Sequence, residues 1–325
     1  MEKLTKKLKD NIEGVKSVLS AKDILVYEFL TGDGTECAIV YTDGMVDKAL
    51  LGDLAARPLS KLTPENKEKG FTLEEVKQTL LFPELKEETQ LQNIFAEVLD
   101  GNSLLLVDGL ETGLIVGAKL LPARAVMEPP TDIAVKGPRE GFIEDIKTNM
   151  ALLRKRLKTP DLKFELQKAG KRSQTNIAIC YLDGICDEKV KKEVAARIGE
   201  IDIDCIPDSS YVAAFIAPRK HSIFREVGTT EKPDILAAKM AEGRVGILVD
   251  GSPIALTVPF ILTEDFQSSE DYFVSPFMAT IFRAIRFLAI LIALLLPAFY
   301  VTSQLFKMQL IPLGLMLNIA SSVQG

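Results

Sequence analysis

The sequence predicts an α/β protein: two related tandem α/β subdomains followed by an amphipathic helix and a transmembrane helix. Three observations predict this. Apolar stripes at helical spacing alternate with short β-branched and aromatic runs. The pattern occurs twice, displaced by about 140 residues. Near the end, residues 287–306 carry no charged side chain over a length that spans a bilayer as a helix.

Each element follows from its residues. Leu4, Leu8, Ile12, Val15 and Leu19 form one helical stripe, and Phe142, Ile146, Met150, Leu153 and Leu157 repeat it 138 positions later. Asn11 matches Asn149 and Asp23 matches Asp161 at the same displacement. A strand is expected after each stripe, at 24–29 and 162–166. Next, AIVYTDGMVD (38–47) answers AICYLDGICD (178–187), six of ten positions being identical. In both, a strand-forming run ends in Asp-Gly, which suits a tight turn. Helices are expected at 46–55 and 188–198, with a further polar helix at 72–80. The copies finish alike, LLLVDG (104–109) before 114–116 and GILVDG (246–251) before 256–258. Strand, Asp-Gly and strand read as a hairpin, and Gly101 and Gly243 end the helix before each one.

The expected division is therefore residues 1–125 and 142–262 as the two α/β subdomains. Between them lies a proline-rich linker, 126–141, in which Pro129, Pro130 and Pro138 favour an extended path. Residues 263–286 are a polar and then amphipathic juxtamembrane segment suited to a membrane surface. Residues 287–306 form the span, with a kink expected at Pro297, which a membrane helix tolerates when neighbours re-satisfy the freed carbonyl. The remainder, 307–325, reads as a re-entrant or incomplete second membrane segment, so that the chain looks truncated.

Charge is segregated. Residues 1–286 hold 38 of the 39 Lys and Arg and all 45 Asp and Glu, a net charge of −7. An acidic chain with no tryptophan and no arginine-rich, aromatic-interleaved stripe argues against nucleic acid as a partner. The opening MEKLTKKLKD has no apolar core behind it and does not read as a signal peptide. Arg283 and Arg286 precede the span, and the positive-inside preference places that side in the cytoplasm, with both arginines anchoring the helix.

Candidate chemistry is sparse. The four cysteines form no CxxC pair and His221 is the sole histidine, so no zinc constellation or Ser/His/Asp triad is supported, and the cysteines read as reduced thiols. No phosphate-binding glycine motif occurs. The Asp-Gly aspartates Asp43, Asp108, Asp183 and Asp250 read as turn residues or as carboxylates of a site between the subdomains. Asp202, Asp204 and Asp208 alternate with isoleucines as in a half-buried strand, or bind a cation. Arg154, Lys155, Arg156 and Lys158 read as a solvated helix face, or as a contact with acidic lipid or a partner. No metal, cofactor or catalytic residue is assigned.

Several motifs carry a resemblance. The runs RAVMEPPTD (124–132), GPREGFIEDIKTNMALLRKRLKTPDL (137–162), IDIDCIPDSSYV, EKPDILAAKMAEGRVGILVDGSPIALTVP (231–259) and SSEDYF before the span resemble the GerA family. These are the A subunits of spore germinant receptors, with the stage V sporulation protein AF branch an equally good home. The order fits from about residue 20 onward. The resemblance implies a subunit, not an enzyme, that couples nutrient sensing to ion release, with a part in an ion channel. It implies partners, a transporter-like B subunit and a lipoprotein C subunit, a homo-oligomer, and a place in the spore inner membrane or cell membrane with the N-terminal region cytoplasmic. Gly137, Pro138, Arg139 and Glu140 at the junction, with Arg154 and Arg156 on the next helix, are the candidate coupling residues. The alternatives are a membrane-tethered enzyme with its site between the subdomains, or an inactive truncated copy.

Overall fold

A computed structural model describes residues 3–64, 70–82, 84–120, 138–218, 222, 225–261, 264, 271 and 274–306. The centre of the first copy's apolar stripe folds as α1 (Leu8–Val18), while Leu4 and Leu19 flank the helix, and Leu4, Leu8, Ile12, Val15 and Leu19 are all buried. An antiparallel sheet follows, of β1 (Ile24–Leu30), β2 (Glu36–Thr42), β3 (Leu85–Glu88), β4 (Ser103–Val107) and β5 (Gly113–Val116), in the order β1-β2-β4-β5-β3. Between β2 and β3 run α2 (Lys48–Leu51), a wider π-helical segment (Gly52–Ala56), α3 (Arg57–Leu59) and α4 (Leu73–Thr79), and α5 (Leu91–Leu99) precedes β4. Thr72 and Glu75 close a capping box at the start of α4. The alternation along the strands directs one set of apolar side chains to α1 and α5, and the other to the helices between β2 and β3.

The second copy repeats this plan: α6 (Ile146–Arg156), β6 (Leu162–Ala169), β7 (Thr175–Leu182), α7 (Glu188–Gly199), α8 (Ser209–Ile216), β8 (Gly228–Thr230), α9 (Pro233–Ala241), β9 (Val245–Val249) and β10 (Ala255–Val258). Its sheet order, β6-β7-β9-β10-β8, is the same sequence of strands, again antiparallel throughout. The expected hairpins are β4–β5 and β9–β10. The helices α5 and α9 end at Leu99 and Ala241, and the N–H groups of Gly101 and Gly243 close them by donating to Val98 and Met240.

Shared polar contacts hold equivalent corners. Asn11 accepts from Thr5 N–H at 2.8 Å and donates to Thr5 C=O at 2.7 Å, and Asn149 does the same with Ile143 at 2.9 and 2.5 Å. Thus the repeated asparagines, both buried, replace backbone partners that the chain lacks before each helix.

The stretch 201–208 departs from the half-buried strand expected of its alternation. It is irregular, and its Ile203 and Asp204 carbonyls accept N–H groups of Lys171, Arg172 and Ser173 at 2.8–3.1 Å. Ile201 and Ile206 are buried as anchors of this loop, and Asp208 instead caps α8. Pro207 has no N–H for a strand ladder, and local capping prevails.

By compactness, residues 1–134 and 138–261 form one unit, and 135–137 with 262–325 another. In the second, α10 (Pro276–Leu305) is one 30-residue helix that runs through Pro297. It joins part of the expected juxtamembrane segment to the expected span without a break. At 1.5 Å per residue it is about 45 Å long, against a hydrocarbon core of about 30 Å. Among the described residues it is the one helix long and apolar enough to cross a membrane, and none of that apolar window is buried.

Candidate functional site: the joint between the two repeats

The joint is built on α6. Residues 147, 151 and 154 recur at i, i+4 and i+7 and so share one face of the helix, and Lys158 follows two residues past its end. Lys147 Nζ lies 3.1 Å from Asp43 of the first copy, and Lys158 pairs with Asp100. Between them Arg154, which is fully buried, forks onto Asp23: Nε donates to Oδ2 at 3.0 Å, and Nη2 to Oδ1 and Oδ2 at 3.0 and 2.8 Å. Its remaining donors reach the Thr159 and Leu162 carbonyls at 2.9 and 3.1 Å, and the guanidinium lies 5.2 Å from the Phe164 ring centre. All three nitrogens of the guanidinium are thereby engaged. Lys163 adds a bond to Ser20 at 2.7 Å.

The solvated-face reading of Arg154, Lys155, Arg156 and Lys158 is therefore corrected for Arg154. Arginine at the seventh step of a helix face that meets a second subdomain cannot reach water. The signal in the sequence is Asp23, whose place in the repeat says nothing of a partner 131 positions away. Its own counterpart, Asp161, is exposed.

Backbone geometry seats the helix. Gly44, at φ +80°, follows Asp43, and a Cβ there would stand 2.9 Å from the Lys147 carbonyl oxygen and 3.5 Å from Ala151 Cβ. The repeat counterpart Gly184, at φ +77°, has nothing within 4 Å. One Asp-Gly turn is thus a docking surface and the other a plain turn.

Burial pushes the Asp23 carboxyl above its usual range, and the Arg154 charge opposes this without cancelling it. Burial also works on Asp43, but there the hydrogen bonds from Lys48 and Lys147 prevail and hold it low. Asp100 is held low by Lys119 and Lys158.

The four Asp-Gly carboxylates do not converge. Asp108 Oδ1 accepts Leu8 N–H at 2.9 Å and Asp250 Oδ1 accepts Ile146 N–H at 3.4 Å, so each meets the first turn of its copy's leading helix. Because β2 and β4 run antiparallel with Cys37 opposite Val107, Asp43 and Asp108 lie at opposite ends of the sheet. Among the described residues no three His, Cys, Asp or Glu side chains cluster to hold a metal.

Of the junction residues, Gly137 lies outside the described residues, as do the preceding linker prolines Pro129 and Pro130. Pro138 and Arg139 lead to Glu140, whose carboxylate takes Lys155 Nζ at 2.7 Å and Arg156 Nη2 at 2.6 Å. The hydrogen bond from Lys155, with help from Arg156, holds Glu140 below the usual carboxylate range. Arg156 therefore faces Glu140 of the junction segment, while Arg154, two residues earlier, faces the first subdomain. In the second unit, Arg283 and Arg286 both meet the buried carboxylate of Asp271, at 3.2 and 2.8 Å, rather than standing only toward a membrane surface.

Comparison with known proteins places this architecture. The family model described as "Bacillus/Clostridium GerA spore germination protein" matches residues 10–325. The chain belongs to the GerA family. It is 35% identical over 316 residues to spore germination protein KA of Bacillus subtilis, covering 96% of this chain and 58% of that protein. It is 32% identical over 267 residues to stage V sporulation protein AF of the same species, covering 82% of this chain and 54% of that one. The chain thus spans somewhat over half the length of these curated relatives. Its structure is similar to the crystallised N-terminal domain of the A subunit of the Bacillus megaterium spore germinant receptor GerK3, with a TM-score of 0.61 and 30% identity over 80% of this chain and 97% of that one. The relatives named here are spore germination and sporulation proteins, and the likeness to that receptor domain extends over nearly all of its length.

Proposed function

We propose that this GerA-family chain is a subunit of a spore germinant receptor that couples nutrient sensing to ion release across the membrane. The observation that carries the reading is the family match along nearly the whole chain together with an apolar helix long enough to cross a bilayer. The helix α10 crosses the spore inner membrane or cell membrane, with the tandem α/β unit on the cytoplasmic side and Arg283 and Arg286 at the entry. Transporter-like and lipoprotein subunits are the partners, and copies of this chain assemble to form part of an ion pathway. Coupling runs from the first subdomain, through Arg154 and Asp23, to α6, and from α6 through Arg156 and Glu140 to the junction at Gly137 and Pro138. Enzymatic action is not part of this reading: Asp108 and Asp250 are engaged as helix caps.

The test is nutrient-triggered release of dipicolinic acid and monovalent cations from spores lacking the gene, complemented with wild type or with Arg156→Glu. Release restored by wild type and reduced by the variant, at equal protein level in the inner membrane, supports coupling through the junction. Release that needs no copy of the gene refutes the receptor role, and full release with the variant refutes the coupling route.

A further inference from the structure

The two repeats differ at one place in a way that makes a cavity. On the face of β1 and β2 opposite α1, the helix after β2 occupies the same twelve positions in each copy, 48–59 and 188–199. In the second copy it is regular, and the space beneath it is filled from within. Lys191 Nζ lies 4.4 Å from the Tyr181 ring centre and pairs with Glu188 at 2.6 Å, and Tyr181 donates to Glu165 at 2.7 Å. In the first copy the helix widens into the π-helical segment, a winding found often at functional sites. The groove beneath it, about 550 Å³, is lined by Tyr27, Phe29, Tyr41, Lys48, Leu51 and Arg57 among others. That volume is in the range of small-molecule sites.

Strand register fixes the correspondence. Tyr27 opposes Ile39 as Glu165 opposes Ile179, so Tyr27 stands where Glu165 stands, and Tyr41 where Tyr181 does. Leu51 replaces the filling Lys191, and Lys48 replaces its partner Glu188. The charge at the site is reversed. The carboxylate that pairs with the ammonium in the second copy and the one that accepts from Tyr181 are both gone, and the first copy offers an ammonium and stacked rings instead. Tyr27 and Phe29 stack at 5.7 Å, and Tyr27 is 52% exposed. Asp43 is shared by Lys48 at 2.7 Å and Lys147 at 3.1 Å, so that trio is net positive, while Arg57 is neutralised by Asp53 at 3.0 Å.

We propose that this groove binds a small organic monoanion, its apolar or aromatic body among Tyr27, Phe29 and Tyr41 and its carboxylate facing Lys48. The aromatic faces supply apolar contact and the surplus positive charge selects the anion. Because Lys48 and Lys147 share Asp43, a carboxylate that draws Lys48 away alters the pairing of α6 at the joint. This gives the ligand a route to the other subdomain.

Saturation-transfer NMR on the full chain in lipid nanodiscs tests the site, with benzoate as the probe and benzylamine as its cationic counterpart. Wild type should bind benzoate in preference to benzylamine. Lys48→Glu, at an exposed position, should weaken benzoate by about tenfold or more and favour benzylamine. The double variant Tyr27→Glu/Leu51→Lys, which transplants the second copy's filling, should abolish both. Absence of benzoate binding to wild type at about 10 mM, equal transfer in all three proteins, or a wild-type preference for benzylamine would each overturn the proposal.

Discussion

Replacing Arg154 by leucine removes the guanidinium that forks onto Asp23 and leaves a buried carboxylate without its partner. Breaking such a pair costs about 3–5 kcal/mol, because the remaining charge keeps its desolvation cost. In a unit of this size each kcal/mol corresponds to about 2–4 °C, so the melting temperature should fall by about 6–20 °C. The residue 1–261 fragment is suited to the measurement, since the related domain that covers 80% of this chain was crystallised on its own. The sign with pH is specific. Asp23 already titrates above its usual range, and loss of Arg154 raises it further. A group whose folded pKa is raised contributes most below its unfolded pKa and loses that contribution as pH rises through the folded value. The deficit of the variant should therefore be largest at neutral pH and shrink as the pH falls. The double variant Arg154→Met/Asp23→Leu should recover most of the loss. A melting temperature for Arg154→Leu within about 2 °C of wild type, or a deficit that does not change with pH, would refute the clamp as an energetic element.

Further outcomes follow from the repeats. Gly44→Ala places a Cβ 2.9 Å from the Lys147 carbonyl at a positive φ and should destabilise far more than Gly184→Ala, whose cost is the backbone strain of about 1–2 kcal/mol alone, as read by denaturant unfolding. Asn149→Ala, and equally Asn11→Ala, should cost about 1–3 kcal/mol by thermal melting, since each leaves a backbone N–H and C=O unmet. Asp108→Asn should keep stability and germination nearly unchanged while Asp108→Ala costs about 1 kcal/mol, because a cap needs an acceptor rather than an acid. Asp208 is raised by burial, but hydrogen bonds from Ser252, Ser210 and Ser209 prevail and bring it to about 2. Its contribution is present above the unfolded carboxylate range and lost as pH falls toward 2, so Ser252→Ala should move the acid unfolding midpoint upward.

Spacing carries local structure. Stripes at i, i+3 and i+4, strand runs ended by Asp-Gly, and the displacement between equivalent motifs are all local or periodic, so two α/β copies and a charge-free helix are legible without coordinates. The half-buried strand assigned to 201–208 failed for a physical reason: alternation reports which side chains are buried, not whether a neighbouring strand exists to bond the backbone. The joint was hidden for another. Arg154 sits in a run of cations that any solvated helix can carry, and Asp23 lies 131 positions away, so their pairing depends on how the copies meet. The same holds for Asp43 and Gly44, which match Asp183 and Gly184 in sequence yet alone receive α6. Duplication produced the same sheet order and the same carboxylate contact to each leading helix, the open groove follows from residues that differ between the copies, and it is tertiary placement that brought Asp23 and Arg154 together as a buried ion pair. Strand, turn and helix depend on neighbours in the chain and so recur in both copies, whereas a contact between the copies requires a second surface, and each copy has a different one.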